Sequence, residues 1–310
     1  MRAQGAARPL FLNRNGKQED REMAEIHAGL VKQLREMTGL GMMECKKALM
    51  ESGGDLKRAE ELLRIRSGAK ASKAATRIAA EGLVAAYLAP DAKVGALVEI
   101  NCETDFVAKN EEFVAFGAQL ARLAAERAPQ DAAALAALDD VEARRQALVQ
   151  KIGENIAIRR LARIATEAKL ARYVHGGRIG VLVEYEGPEE VARDVAMHIA
   201  FARPAYLSAA DVPTDVIERE RAILAARAKE AGKPDAIAQK MVAGGLAKFL
   251  AEATLLGQPF VKDDRLTVGA MLAARGAKVL GYRFLVVGEG IEKKSGDFAA
   301  EVKAAAQAAR

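Results

Sequence analysis

The sequence contains no tryptophan, and aromatic residues make up only 5% of its 310 residues. Its cores must therefore be closed mostly by aliphatic side chains. Cysteine is almost as scarce: Cys45 and Cys102 stand far apart, with no partner motif. That pattern excludes a disulfide scaffold and points to a reducing compartment. The three histidines, His27, His175 and His198, never fall at metal-ligand spacing. Neither a Ser-His-Asp nor a Cys-His constellation can be assembled. A phosphate loop of the Gly-x-x-x-x-Gly-Lys-Ser type is missing, as is the Rossmann glycine fingerprint. Gly288-Glu-Gly290 is a turn signal and no more. Apolar runs long enough for a membrane span are also absent. Charge of one sign is nearly balanced by the other, leaving +5 overall. Lys and Arg are interleaved with Glu and Asp along helices, which describes a solvated mixed surface rather than a nucleic-acid groove.

Hydrophobic residues, in contrast, make up 51% of the chain. With this length, two or more modules with real cores are expected. Residues 1–22 lack periodicity and carry no apolar secretion core. They read as a disordered extension before Met23, or as a misplaced start. From Glu25 to Arg66 the pattern is three short helices. Leu30, Leu34 and Met37 share a face, and Cys45, Ala48 and Leu49 share another. Asp55 caps the third helix, with Ala59, Leu62 and Leu63 inward. Cys45 falls on an apolar face, so it is a buried structural thiol rather than a nucleophile. Ser67–Ala80 reads as a linker or a loosely attached helix, with Lys70, Lys73 and Arg77 among small residues.

An internal repeat follows. Glu81-Gly-Leu-Val-Ala-Ala-Tyr87 with Lys93-Val-Gly-Ala-Leu-Val-Glu99 mirrors Ala168-Lys-Leu-Ala-Arg-Tyr173 with Arg178-Ile-Gly-Val-Leu-Val-Glu184. Each copy has the pattern of a β-hairpin followed by a helix. The helices are Glu111–Glu126, with Phe113, Phe116, Leu120 and Leu123 on one face, and Pro188–Arg203, where His198 is a satisfied core histidine. Asp131–Thr166, between the copies, reads as helical. Asp215–Ala231 and Pro234–Leu255 read as a helical hairpin with a thin seam, Val216 with Ile223 and Ile217 with Leu224, weakened on the return by Gly244-Gly245. Leu266–Val287 returns with a helix and the strand Tyr282–Val287, and Asp297–Arg310 is a last helix. The fold class is α+β.

Asn101-Cys-Glu-Thr-Asp-Phe-Val-Ala-Lys-Asn110 lies between a buried strand, Val94–Ile100, and the helix from Glu111. Thr104 or Asp105 can cap that helix. By pattern alone Phe106 is a core phenylalanine at a strand-to-helix corner. The whole string Thr104–Asn110, however, resembles the signature of the translation elongation factor Ts family. So do Gly39–Leu49, Ile152-Gly-Glu-Asn155, His175–Val183, Ala196-Met-His198, Gly257-Gln-Pro-Phe-Val261 and Val287-Gly-Glu-Gly-Ile-Glu-Lys293.

The resemblance covers Met23 to about Ala304 and implies an architecture. An extension at 1–22 precedes a ubiquitin-associated-like three-helix module at 23–76. Two repeated core subdomains follow at 77–166 and 167–290, the second carrying a coiled-coil hairpin at 213–255, and a C-terminal helical module spans 291–310. It also implies a role in the cytoplasm: a guanine-nucleotide exchange factor that binds elongation factor Tu, GDP-bound or nucleotide-free, and releases GDP. No cofactor or metal of its own, and no catalytic residue, is implied. Thr104, Asp105, Phe106 and Val107 would meet the Mg²⁺ and phosphate region of elongation factor Tu, with Phe106 as a wedge. Met42, Met43, Lys46, Ile152, Gly153, His175 and Val261 would make the other contacts. Lys262 replaces the less polar residue expected from the family and is left out of the site. The hairpin is a candidate for self-association, which it supports in some family members and not in others. Two other classes compete: a peptide-binding scaffold resting on Glu25–Arg66 alone, and a cysteine-dependent enzyme using Cys102, which would need a thiolate-stabilising neighbour.

Overall fold

The computed structural model describes residues 28–292 except 139 and 233. The expected extension at 1–22 and the expected last helix at 297–310 lie outside the described residues. The described chain is mixed helix and sheet, α+β, and divides into two compact units. One is the chain up to Thr76 together with Ala143–Glu154; the other is Arg77–Glu142 and the residues from Asn155 on.

The first unit contains α1 (Ala28–Thr38), α2 (Met42–Glu51) and α3 (Leu56–Ala74). Val31 and Leu34 meet Leu40, Cys45, Ala48, Leu49, Ala59 and Leu63 in its core. Met37, expected on the inward face, is exposed, and Val31 fills that role. Gly39, Gly53 and Gly54 turn the chain with positive φ, where a side chain would be strained. Asp55 caps α3 by accepting from the Arg58 amide. That helix does not stop at Arg66. It continues to Ala74 with Ser67, Ala71 and Ala74 buried, so the expected linker is helix over most of its length. Small residues allow close approach, and Lys70 donates to the Gln150 carbonyl at 3.0 Å. Its charge is used inside the unit.

The second unit is built on two three-stranded antiparallel sheets. The elements are β1 (Glu81–Leu88), β2 (Val94–Cys102), α4 (Asp105–Ala108), α5 (Glu111–Arg127), α6 (Ala132–Ala136), α7 (Val141–Ile152, mostly counted with the first unit), β3 (Ala157–Ala165), β4 (Lys169–His175), β5 (Ile179–Glu186), α8 (Glu189–Ala202), α9 (Thr214–Glu230), α10 (Asp235–Ala253), β6 (Pro259–Phe260), β7 (Asp263–Thr267), α11 (Val268–Ala274) and β8 (Lys278–Val286). The sheets run β1-β2-β3 and β4-β5-β8, and β6 pairs with β7. α5 buries Phe113, Phe116 and Leu120 and packs on β1 and β2. α8 places Val191, Val195 and Ile199 against Val181 and Val183 of β5. The opposite faces meet at Val84, Leu97, Leu182, Leu285 and Val287. Strand alternation separates the two sets: Leu97 and Leu182 point between the sheets, while their neighbours point to the helices.

Asp131–Thr166 is not all helical, as its pattern suggested: its last part is β3. The period of two is broken there by a bulge, because Glu99 pairs with Arg160 and Ile100 with Ile158. The extra residue, Arg159, brings two adjacent arginines onto one carboxylate. Both oxygens of buried Glu99 accept from Arg159 at 3.1 Å, one also from Arg160 at 2.5 Å, and the other from the Gly288 amide at 2.8 Å. β8 also starts earlier than expected, at Lys278.

The hairpin buries little: Ala228 alone in α9, and no residue of α10. Gly245 does not simply weaken the seam. Its missing side chain makes room for Leu224, whose Cδ2 would be 2.7 Å from a Cβ there.

Two expectations follow. The repeat glycines lie where the sheets meet: a Cβ on Gly95 would be 3.0 Å from Leu182 Cδ2, and one on Gly180 would be 2.5 Å from Val84 Cγ1. Gly180→Ala should cost about 1–3 kcal/mol, read as a lowered Tm, whereas Gly244→Ala, in open space on α10, should be neutral or slightly stabilising. The second concerns acid. Burial alone would raise the Glu99 carboxyl, but the Gly288 amide and Arg160 outweigh it and hold it below its usual 4.5. The unfolded chain therefore takes up this proton first. The contribution of Glu99 is full above about 4.5 and is lost as pH falls through the lower folded value. Glu99→Gln should flatten the acid limb of an unfolding-versus-pH curve while lowering stability at neutral pH.

Candidate functional site: an exposed aromatic turn

β2 ends buried at Cys102, and four residues later Phe106 is 81% exposed. The chain makes that change in a fixed way. The Cys102 thiol donates to the Thr104 carbonyl at 3.1 Å. Glu103 accepts from the Asn155 amide at 2.5 Å and pairs with Arg77 at 3.2 Å. Thr104 is extended, and its hydroxyl accepts from the Val107 amide at the start of α4. It caps this single turn and not α5. Asn110 caps α5 instead, accepting from the Glu112 and Phe113 amides. Two short caps in succession, rather than one, make the corner. The signal was in the sequence, since Asn110 stands three residues before buried Phe113.

Phe106 is therefore not the core residue of the plain pattern. Asp105 is exposed and meets Lys109 at 2.8 Å across one helical turn. The hydrogen bond from Lys109 holds the Asp105 carboxyl below its usual range, so it stays a carboxylate at neutral pH. Val107 is half-buried.

The structure brings this turn together with the one carrying His175. A cleft of about 760 Å³ is lined by Gly82–Ala86 of β1, by Asp105 and Lys109, and by Val174, Gly176 and Gly177. Gly177 accepts from the Val84 amide at 2.7 Å, and Arg178 reaches Glu81 at 2.6 Å. His175 is exposed, and its Nδ1 lies 3.1 Å from the Tyr173 hydroxyl. The edge of β1, which the sequence did not single out, is thus the floor between two expected contact turns.

Val261 does not line this cleft. It lies in the turn between β6 and β7, exposed to 40%, and the amide donates to His198 Nδ1 at 3.2 Å. Its neighbour Lys262 reaches Asp194 at 2.5 Å. Met42, Met43, Lys46, Ile152 and Gly153 belong to the first unit. Met42, Met43 and Lys46 are exposed, while Ile152 and Gly153 are half-buried at the end of α7. Cys102 is fully buried with its thiol turned to a carbonyl, an acceptor that does nothing to favour a thiolate. Among the described residues, no group of three or more His, Cys, Asp or Glu could hold a metal ion.

The sequence pattern of the family described as Elongation factor TS matches residues 103–289. Elongation factor Ts of Nitrosomonas eutropha is 57% identical over 288 residues, covering 91% of this chain and 98% of the relative. Elongation factor Ts of Bordetella petrii is 58% identical over 288 residues, 92% of this chain and 99% of its own. Elongation factor Ts of Aromatoleum aromaticum is 56% identical over 293 residues, 93% and 99%. With a family match over more than half its length and relatives this similar along nearly all of theirs, the chain belongs to the elongation factor Ts family.

Proposed function

We propose that this chain is the guanine-nucleotide exchange factor of elongation factor Tu, which binds the GDP form, disturbs its Mg²⁺ and phosphate site and releases GDP during translation elongation in the cytoplasm. The observation that carries the reading is Phe106: a large apolar ring, 81% exposed, on a turn capped by Thr104 and followed at once by the Asn110 cap of α5. A ring held out in water at a rigid corner is suited to enter a partner, and aromatic anchors of this kind dominate interfaces.

The role needs no acid, base or nucleophile. The protein must bind nucleotide-free elongation factor Tu better than the GDP form, because only differential affinity shifts an equilibrium. By linkage, GDP and the exchange factor then weaken each other equally. Phe106 acts as the wedge, and the Asp105 carboxylate disturbs the groups that hold Mg²⁺. Thr104 and Val107 fix the turn. His175, Val261, Ile152, Gly153, Met42, Met43 and Lys46 supply further contact. The exposure of Met42 and Met43 supports this assignment, since apolar side chains left in water are suited to a partner. His175 is exposed where β4 runs into its turn, and loops are where contact residues concentrate. On this reading the chain works as a three-helix module at 23–76 and two core subdomains at 77–166 and 167–290, with the hairpin at 213–255 as a peripheral arm available for self-association.

Stopped-flow release of fluorescent GDP from elongation factor Tu, beside thermal unfolding, tests the reading. The parent should accelerate release. Phe106→Ala should melt with the parent, because removing an exposed ring leaves no cavity. Its exchange should fall by about thirty-fold or more, the effect of losing an anchor of roughly 2 kcal/mol. Asp105→Ala should slow release less, and more with Mg²⁺ present than without. A stable Phe106→Ala protein with parental exchange would refute the wedge, and a parent that leaves release unchanged would refute the exchange reading.

A further inference from the structure

His198 is 1% exposed, in α8, with both ring nitrogens engaged. The Val261 amide can only donate, so Nδ1 accepts and carries no proton. Nε2 then bears the hydrogen and donates to Gln258 Oε1 at 2.9 Å. Gln258 is oriented in turn, because its Nε2 donates to the Glu252 carbonyl near the end of α10 at 2.7 Å. A single polar chain thus runs from the base of the hairpin through Gln258 and His198 to the Val261 backbone. Burial lowers the His198 pKa, which agrees with a neutral ring.

The turn that donates this bond has little sheet pairing to fix it. β6 is two residues long, and its register with β7 breaks between Pro259 and Phe260. The turn lies instead along α8. Lys262 meets Asp194 and Val261 meets His198, and residues four apart share one helix face. Phe260 is buried, its ring centroid 6.0 Å from that of His198. The next side chain, Val261, points to solvent.

We propose that His198 is a positioning residue for the partner contact at Val261: its Nδ1 holds the Val261 amide and so sets the turn in the conformation that elongation factor Tu meets. This rests on the reading of Val261 as a contact. A merely structural core histidine would contribute stability whichever nitrogen were preserved. A positioning histidine has one nitrogen that matters for binding and one that does not.

Two substitutions separate the nitrogens. His198→Asn puts an oxygen where Nδ1 stands and abandons Gln258. His198→Gln reaches Gln258 and abandons the Val261 amide. Both should lower Tm by similar amounts, since each forfeits one buried hydrogen bond. Affinity for nucleotide-free elongation factor Tu, measured with the full chain, should fall about ten-fold in His198→Gln and be rescued to within about two-fold of the parent in His198→Asn. Hydrogen exchange at the Val261 amide should quicken in the Gln variant only. Val261→Ser should weaken binding by itself, and adding it to His198→Gln should weaken binding little further.

Equal losses of affinity in the Asn and Gln variants, or unchanged Val261 exchange in the Gln variant, would overturn the positioning role. Parental binding by Val261→Ser would overturn the contact reading instead, and with it the functional half of the proposal. The amide exchange would then still report whether His198 holds the turn.

Discussion

The abrupt passage from a buried strand end to an exposed ring is the constraint on which the rest of this structure depends. Cys102 is fully buried and Phe106 is 81% exposed. An apolar ring left in water is an unfavourable arrangement for the free protein, and a flexible loop would fold it back onto the nearest apolar surface. The chain prevents this with local hydrogen bonds: Cys102 to Thr104, Val107 to Thr104, and the Asn110 cap of the following helix. Glu103 ties the strand end to Asn155 at the same place. Each bond is worth about 1 kcal/mol, but together they leave the turn few alternatives. Pre-organisation of this kind lowers the cost of ordering the turn when a partner arrives.

The same logic of fixing a surface turn from beneath recurs twice. The turn after His175 is pinned by the bond from Val84 to Gly177, and the turn at Val261 by His198. Both depend on a stiff platform. That platform comes from close sheet packing, in which the glycine of each repeat accepts side chains from the other copy, Leu182 at Gly95 and Val84 at Gly180. The Glu99 cluster adds a polar fastening between β2, β3 and the turn after β8. Glu99 itself is buried and partnered on both oxygens, so removing its partners would leave a charge stranded.

Much of this was legible in the sequence. The hairpins at Glu81–Glu99 and Ala168–Glu184 show as repeated apolar strand runs bounded by turn residues, and the helix from Glu111 and the helical hairpin carry helical spacing. What failed to read has physical causes. β3 looked helical because the bulge at Arg159 breaks the alternation that marks a strand. The third helix seemed to stop at Arg66 because Ser67, Ala71 and Ala74 are small, so their burial leaves no hydrophobic signature. β6 and β7 are too short to show any period. At the site, the plain pattern put Phe106 in the core, whereas the ring is 81% exposed, because a strand-to-helix corner carries no period that would mark an outward side chain. That His198 would be buried was legible, but its bond to the Val261 amide was not, because it joins residues far apart in the chain.

The central claim is that position 106 holds its ring in water until elongation factor Tu covers it. The chain has no tryptophan, so Phe106→Trp introduces a single reporter at that point. Its emission should be that of a water-exposed indole, freely quenched by acrylamide in the isolated protein. It should become shielded when nucleotide-free elongation factor Tu, with its own tryptophans replaced by phenylalanine, is added. An indole already shielded in the free protein, or one equally quenched with and without the partner, would contradict the account.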